Sequence, residues 1–108
     1  MKRLLAILVL FVSLSASAQK AAVQTAINYL RYEDLDKAKE AIDGAVVTES
    51  TMGMSKAWYY RALIYHALFE TTNAKFEALK PGSLIEAKKS YEKTMELDTK
   101  NEYKDDVM

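Results

Sequence analysis

This 108-residue chain predicts an all-α protein built as a short stack of antiparallel helical hairpins, and three observations carry the prediction. Ala22, Ala26, Tyr29, Ala38 and Ile42 are echoed in the same order by Trp58, Ala62, Tyr65, Ala87 and Tyr91, so the chain repeats itself. A period of a few tens of residues is the mark of helical hairpins that bury their apolar faces only against a neighbour. Apolar residues also recur at helical spacing in four successive stretches, and no stretch alternates at period two. Turn-forming residues separate the stretches, with Pro81-Gly82 the firmest break.

The first stretch runs from about Lys20 to Tyr32, with Val23, Ala26, Ile27 and Leu30 forming one apolar stripe. Asp34 is the expected N-cap of the second helix, whose stripe is Leu35, Ala38, Ala41, Ile42 and Ala45. The Glu33-Asp34 corner is so short that these two helices must lie antiparallel. A connector from Thr48 to Met54 follows, and Ser55 is the expected N-cap of the third helix. That helix holds Trp58, Ala62, Leu63, Tyr65, Ala67, Leu68 and Phe69, which predicts the most buried element of the chain. Ser83-Leu84-Ile85-Glu86 has the form of a capping box and opens a fourth helix. Its expected stripe is Leu84, Ala87, Tyr91, Thr94, Met95 and Leu97, with Lys88, Lys89, Glu92, Lys93 and Glu96 in water. Residues 102–108 read as the start of a further helix.

The N-terminal residues carry an address rather than a fold. Lys2 and Arg3 precede an apolar run from Leu4 to Val12, and Ala16-Ser17-Ala18 has the small side chains of a signal-peptidase site. Residues 1–18 therefore read as a signal peptide, with cleavage after Ala18. A spanning helix needs about 20 apolar residues, roughly twice this run, so no stable membrane anchor is expected after its removal. The chain has no cysteine, which excludes disulfides, thiolate metal sites, thiol catalysis and a lipid anchor on a cysteine after the cleavage point. The expected compartment is the periplasm of a bacterium, or the protein is secreted.

Lys and Arg number 15 against 15 Asp and Glu, and loss of Lys2 and Arg3 leaves the mature residues 19–108 slightly acidic. That balance disfavours a nucleic-acid partner, which selects a basic face, and polybasic attachment to anionic lipid.

The paired pattern resembles the tetratricopeptide repeat: Trp-x2-Leu-Gly-x2-Tyr on a first helix, Ala-x3-Phe/Tyr on a second, then an Ala and often a Pro. Trp58, Ala62 and Tyr65, then Ala87, Tyr91 and Asp98, take those places in repeat 2, about 55–100. Ala22, Ala26, Tyr29, Ala38, Ile42 and Ala45 take them in repeat 1, about 19–52. Arg61 stands where the family prefers Leu, and Thr94 and Thr99 replace its Ala and Pro. Ala22 and Ala38 keep the family spacing, whereas Trp58 and Ala87 stand thirteen residues further apart. The surplus lies within 70–82, where it either extends the third helix or adds a short helix docking through Phe76 and Leu79. Such a lengthening is either a tolerated surface turn or a binding loop.

The resemblance implies a concave groove lined by the first helix of each hairpin, which places Val23, Ile27, Leu30 and Arg31 beside Tyr59, Leu63 and His66. Relatives that grip a C-terminal carboxylate use Lys and Asn where this chain has Val23 and Ile27, and Asn where it has Tyr60. An amphipathic helix or extended peptide with apolar anchors is the expected ligand.

Catalysis is not expected. His66 is the only histidine, so neither a two-histidine metal site nor a histidine relay with a spare is available. Glu33, Asp34 and Asp36 suit the positive end of a helix dipole, and Asp105-Asp106 matches no metal loop. Three scattered glycines form no phosphate loop, and no cofactor is expected. The sequence thus predicts a protein-binding scaffold of the cell envelope, with an accessory role in an outer-membrane uptake or assembly complex as the alternative. A stack of this kind generally uses about three repeats and a capping helix. Two repeats and a stub imply either the front part of a longer protein, the non-catalytic front part of a larger enzyme being one alternative, or an open repeat end covered by self-association or a partner.

Overall fold

The computed structural model describes residues 21–99 together with Glu102 and Tyr103. The expected signal peptide, its cleavage point and most of the further helix at 102–108 lie outside the described residues. The fold is all-α, with four helices packed as adjacent pairs and no strand among the described residues. None of these helices is long and apolar enough to cross a membrane.

Helix α1 covers 21–31, and Val23, Ala26 and Ile27 on its stripe are buried. It ends in a Schellman turn: the Asp34 amide donates to the Tyr29 carbonyl at 2.9 Å and the Glu33 amide to the Leu30 carbonyl at 3.0 Å. Glu33 takes the left-handed position of that turn, with φ of 59°. A side chain there costs about 1–2 kcal/mol that glycine would avoid.

Helix α2, Leu35–Val46, buries Leu35, Ala38, Ile42, Ala45 and Val46. Asp34 holds the N-cap position, but its side chain makes no capping bond; its carbonyl accepts the Ala38 amide instead. The connector to the next helix is internally bonded. Thr51 is fully buried and its hydroxyl donates to the Ala45 carbonyl, while the Trp58 indole donates to the Met52 carbonyl at 2.7 Å.

Helix α3, Ser55–Glu70, buries Ala57, Ala62, Ile64, Tyr65 and Leu68, and packs against both α2 and the last helix. Its N-cap is Met54 and not Ser55, which is already helical; the Met54 carbonyl accepts the Ala57 amide at 3.1 Å. Phe69 faces outward and is 46% exposed.

The surplus residues do not extend α3. They form a separate 3-10 helix, Ala74–Leu79, which touches α2. Asn73 caps it by accepting the Lys75 amide at 3.0 Å, and Phe76 is buried in the core with Leu79 packed beside it. Docking through Phe76 and Leu79 is therefore what the structure adopts.

Helix α4, Ser83–Leu97, runs antiparallel to α3, and two expectations about it need correction. No capping box forms. Gly82, with φ of 78°, is the N-cap; the Ser83 hydroxyl donates back to the Lys80 carbonyl at 2.7 Å, and Glu86 is drawn to Arg61. The buried face is Ser83, Ala87, Ser90 and Thr94, which are small or hydroxylated, whereas Leu84 and Ile85 are 48% and 61% exposed. Small residues let α4 close on α3, and Thr94 and Ser83 satisfy their hydroxyls on backbone carbonyls of their own segment.

Candidate functional site

Two polar regions stand out on this scaffold, and the first is a clamp joining three helices. Arg61 lies on the same stripe of α3 as Ala57, Ile64 and Leu68, so its guanidinium is carried inward and is 13% exposed. Nε donates to Asp43 Oδ1 of α2 at 3.1 Å; Nη1 and Nη2 donate to Ser90 Oγ and Glu86 Oε2 of α4 at 2.7 and 3.1 Å. Its planar face lies 4.4 Å from the Tyr65 ring centroid and 5.8 Å from that of Trp58. The Tyr65 hydroxyl donates to Asp43 Oδ2 at 2.7 Å, and Lys39 Nζ approaches the same oxygen at 3.1 Å. Burial, followed by the bond to Asp43, raises the Tyr65 pKa above its ordinary value; the Asp43 carboxylate raises that of Lys39. Each of the three guanidinium nitrogens donates to a partner on α2 or α4, so the clamp fixes helix positions. Sequence reasoning missed it, although a cation standing on an apolar stripe was the signal.

The residues expected to line a groove are distributed unevenly. Val23 and Ile27 are each 3% exposed and belong to the core, so they present no surface to a ligand. Arg31 is exposed, and Leu30 and Leu63 are half-buried. Tyr59 is half-buried and stacks on Tyr103 with centroids 4.4 Å apart, the planes tilted by 23°. Asp98 sets up this stack by accepting the Glu102 and Tyr103 amides at 2.9 and 2.8 Å, which turns the chain back onto α3. Part of the Tyr59 face is therefore covered by the chain itself. The His66 side chain is 44% exposed, with Nε2 3.1 Å from Glu70 Oε1 one turn away.

The second polar region is an open cleft of about 470 Å³ between the α1–α2 corner and the loop leading into the 3-10 helix. Leu30 and Leu35 form one wall, Phe76 and Thr71 the other, and Glu33 and Glu70 also line it. On the neighbouring turn of α2, Asp36 Oδ1 is buried without a hydrogen-bond partner. A smaller cleft of about 380 Å³ lies beside the clamp, bordered by Val46, Trp58, Lys89 and Lys93. Among the described residues no group of three His, Cys, Asp or Glu side chains is placed to hold a metal ion.

Comparison with family models, with curated proteins and with solved structures finds no match to this chain.

Proposed function

We propose that this chain is an exported scaffold of the bacterial cell envelope, made of two tetratricopeptide-type hairpins, that binds a protein or peptide and performs no chemistry. The observation that supports this reading is the agreement of its two halves. Ala26 and Ala62 on the first helices, and Ala38 and Ala87 on the second, are all between 0% and 1% exposed. Small side chains at matching places let helices approach closely in both hairpins, which is the packing requirement of a repeat stack. Leu30, Arg31, Tyr59, Leu63 and His66 supply the mixed apolar, aromatic and cationic surface that peptide recognition uses.

Export and binding are tested separately. The mass of the chain recovered from the envelope fraction should correspond to a start at Gln19; retention of residues 1–18 would overturn export with cleavage. A photo-crosslinking residue placed at Leu63 or His66 in cells should give a discrete protein adduct that is absent from the same probe at Lys88. Equal labelling from all three positions, or from none, would overturn the scaffold reading.

A further inference from the structure

Beyond α4 the chain is folded back by one carboxylate, and the ring it delivers covers a face that the scaffold reading gives to a ligand. Asp98 is 8% exposed, and its two carboxylate oxygens accept the amides of Glu102 and Tyr103 at 2.9 and 2.8 Å. Amide bonds to an ionised acceptor are strong, so the backbone of this turn is fixed. The Tyr103 ring is held differently. It lies on Tyr59 with centroids 4.4 Å apart, and Tyr59 in turn meets Tyr60 edge-on at 5.4 Å. Tyr103 is only half-buried, and between its turn and the start of α3 lies an open cavity of about 300 Å³, bordered by Met54, Lys56, Asp98 and Tyr103. The ring therefore has room to leave without disturbing the turn that carries it.

A stacked aromatic pair favours its closed geometry by roughly two- to tenfold over the parted one. That preference keeps the Tyr59 face covered, yet another ring can displace it. A ligand that competes for a covered face binds with its affinity reduced to the uncovered fraction. The occupant suited to this face is shown by the one it already has, a flat ring with a polar tip that can stay in water.

We propose that Tyr103 is an intramolecular stand-in for a ligand: its ring closes over Tyr59 when the groove is empty and swings out, leaving the Asp98 turn in place, when a partner polypeptide presents an aromatic side chain there. The proposal rests on the scaffold reading and gives it a recognition rule, a ring that stacks on Tyr59.

The test uses the full chain, its Tyr103→Ala and Tyr103→Phe variants, and N-acetyl-tyrosinamide as the probe, with N-acetyl-leucinamide as the control. In an NMR titration the probe should move the Tyr59 and Tyr60 ring signals of Tyr103→Ala saturably. About fivefold more probe should be needed for the unaltered chain and for Tyr103→Phe, which keeps the stack. In the unaltered chain the cross-peak between the Tyr59 and Tyr103 rings should fade as probe is added, while the Glu102 and Tyr103 amide signals stay in place. Equal affinity of the unaltered chain and Tyr103→Ala, absence of saturable shifts in both, equal binding of the leucine control, or a cross-peak that persists at saturation would each overturn the proposal. Loss of cooperative thermal melting in Tyr103→Ala would overturn it too, because the ring would then belong to the core. An adduct from His66 in cells while the probe fails would remove this inference alone and leave the scaffold standing. Displacement of Tyr103 by the probe with no adduct from Leu63 or His66 would remove the scaffold and, with it, the polypeptide partner.

Discussion

The Arg61 clamp and the insertion cleft contain the same chemistry in opposite states. In the clamp, carboxylates from α2 and α4 converge on one guanidinium, with a serine and a tyrosine hydroxyl completing the arrangement. In the cleft, Glu33 has no cationic partner among the described residues and Glu70 has only His66, and both side chains are exposed. A closed network holds helices in register and gains nothing from a ligand. A pair of exposed carboxylates holds no helix in register, and water screens its charge.

The largest way to break this contrast is to remove the wall of the cleft. Phe76 is 3% exposed and pins the 3-10 helix, so Phe76→Ala should cost about 3 kcal/mol in urea unfolding. The clamp should survive, which tyrosine hydroxyl or arginine side-chain NMR signals of Tyr65 and Arg61 would report. Arg61→Ala should act in the other direction. It leaves Asp43 and Glu86 without their shared cation and should cost about 2 kcal/mol, less than a fully buried pair because both carboxylates keep contact with water. The 3-10 helix should then stay docked, which the NMR signals of the Phe76 ring would report. Loss of the docked Phe76 signals in Arg61→Ala would show that the two regions are one cooperative unit.

A pH titration sharpens the same contrast. Tyr65 has its pKa raised in the fold, first by burial and then by its bond to Asp43. The folded state therefore holds the phenol proton more tightly than the unfolded chain, whose value is near 10.0. The stability linked to this proton is fully present below that value and is lost as pH rises through the higher folded value. Lys39, raised by Asp43, adds in the same direction above its ordinary 10.5. Urea midpoints should fall above about pH 10, with a slope of at most about 1.4 kcal/mol per pH unit for each group. Tyr65→Phe should flatten the fall, while cleft variants should leave it untouched.

The fold was legible in the sequence to the extent that packing follows side-chain size and period. The repeated alanines marked where helices approach, and the Glu33-Asp34 corner marked an antiparallel pair. What stayed hidden depends on polar partners from distant segments. Arg61 looked like an eroded leucine position until Asp43, Ser90 and Glu86 surrounded it. The same convergence rotates α4, so that Ser90 faces inward and Leu84 and Ile85 face water, against a stripe drawn from hydrophobicity alone. Tyr59 looked open because its cover, Tyr103, arrives only through the amide bonds made by Asp98. The cleft could not be seen because its walls, Leu30 and Phe76, belong to different hairpins and meet only when the surplus residues dock.

The smallest predicted effect tests what the exposed carboxylate at the α1–α2 corner contributes to the fold. Glu33 occupies a left-handed turn position, φ 59°, where glycine is the residue of least strain. Part of the relief from Glu33→Gly is offset by the extra freedom glycine gives the unfolded chain, so a net gain of about 0.5 kcal/mol is expected. Glu33→Gln, which keeps the strain and removes the charge, should change stability by less than about 0.5 kcal/mol. A gain from glycine with no change from glutamine would assign the cost to the backbone position and not to the charge, unlike the clamp, where the charge carries the effect. If Glu33→Gln alters stability as much as Arg61→Ala does, the Glu33 carboxylate is held by a partner in the fold, and the contrast between an occupied clamp and an open cleft fails at its weaker side.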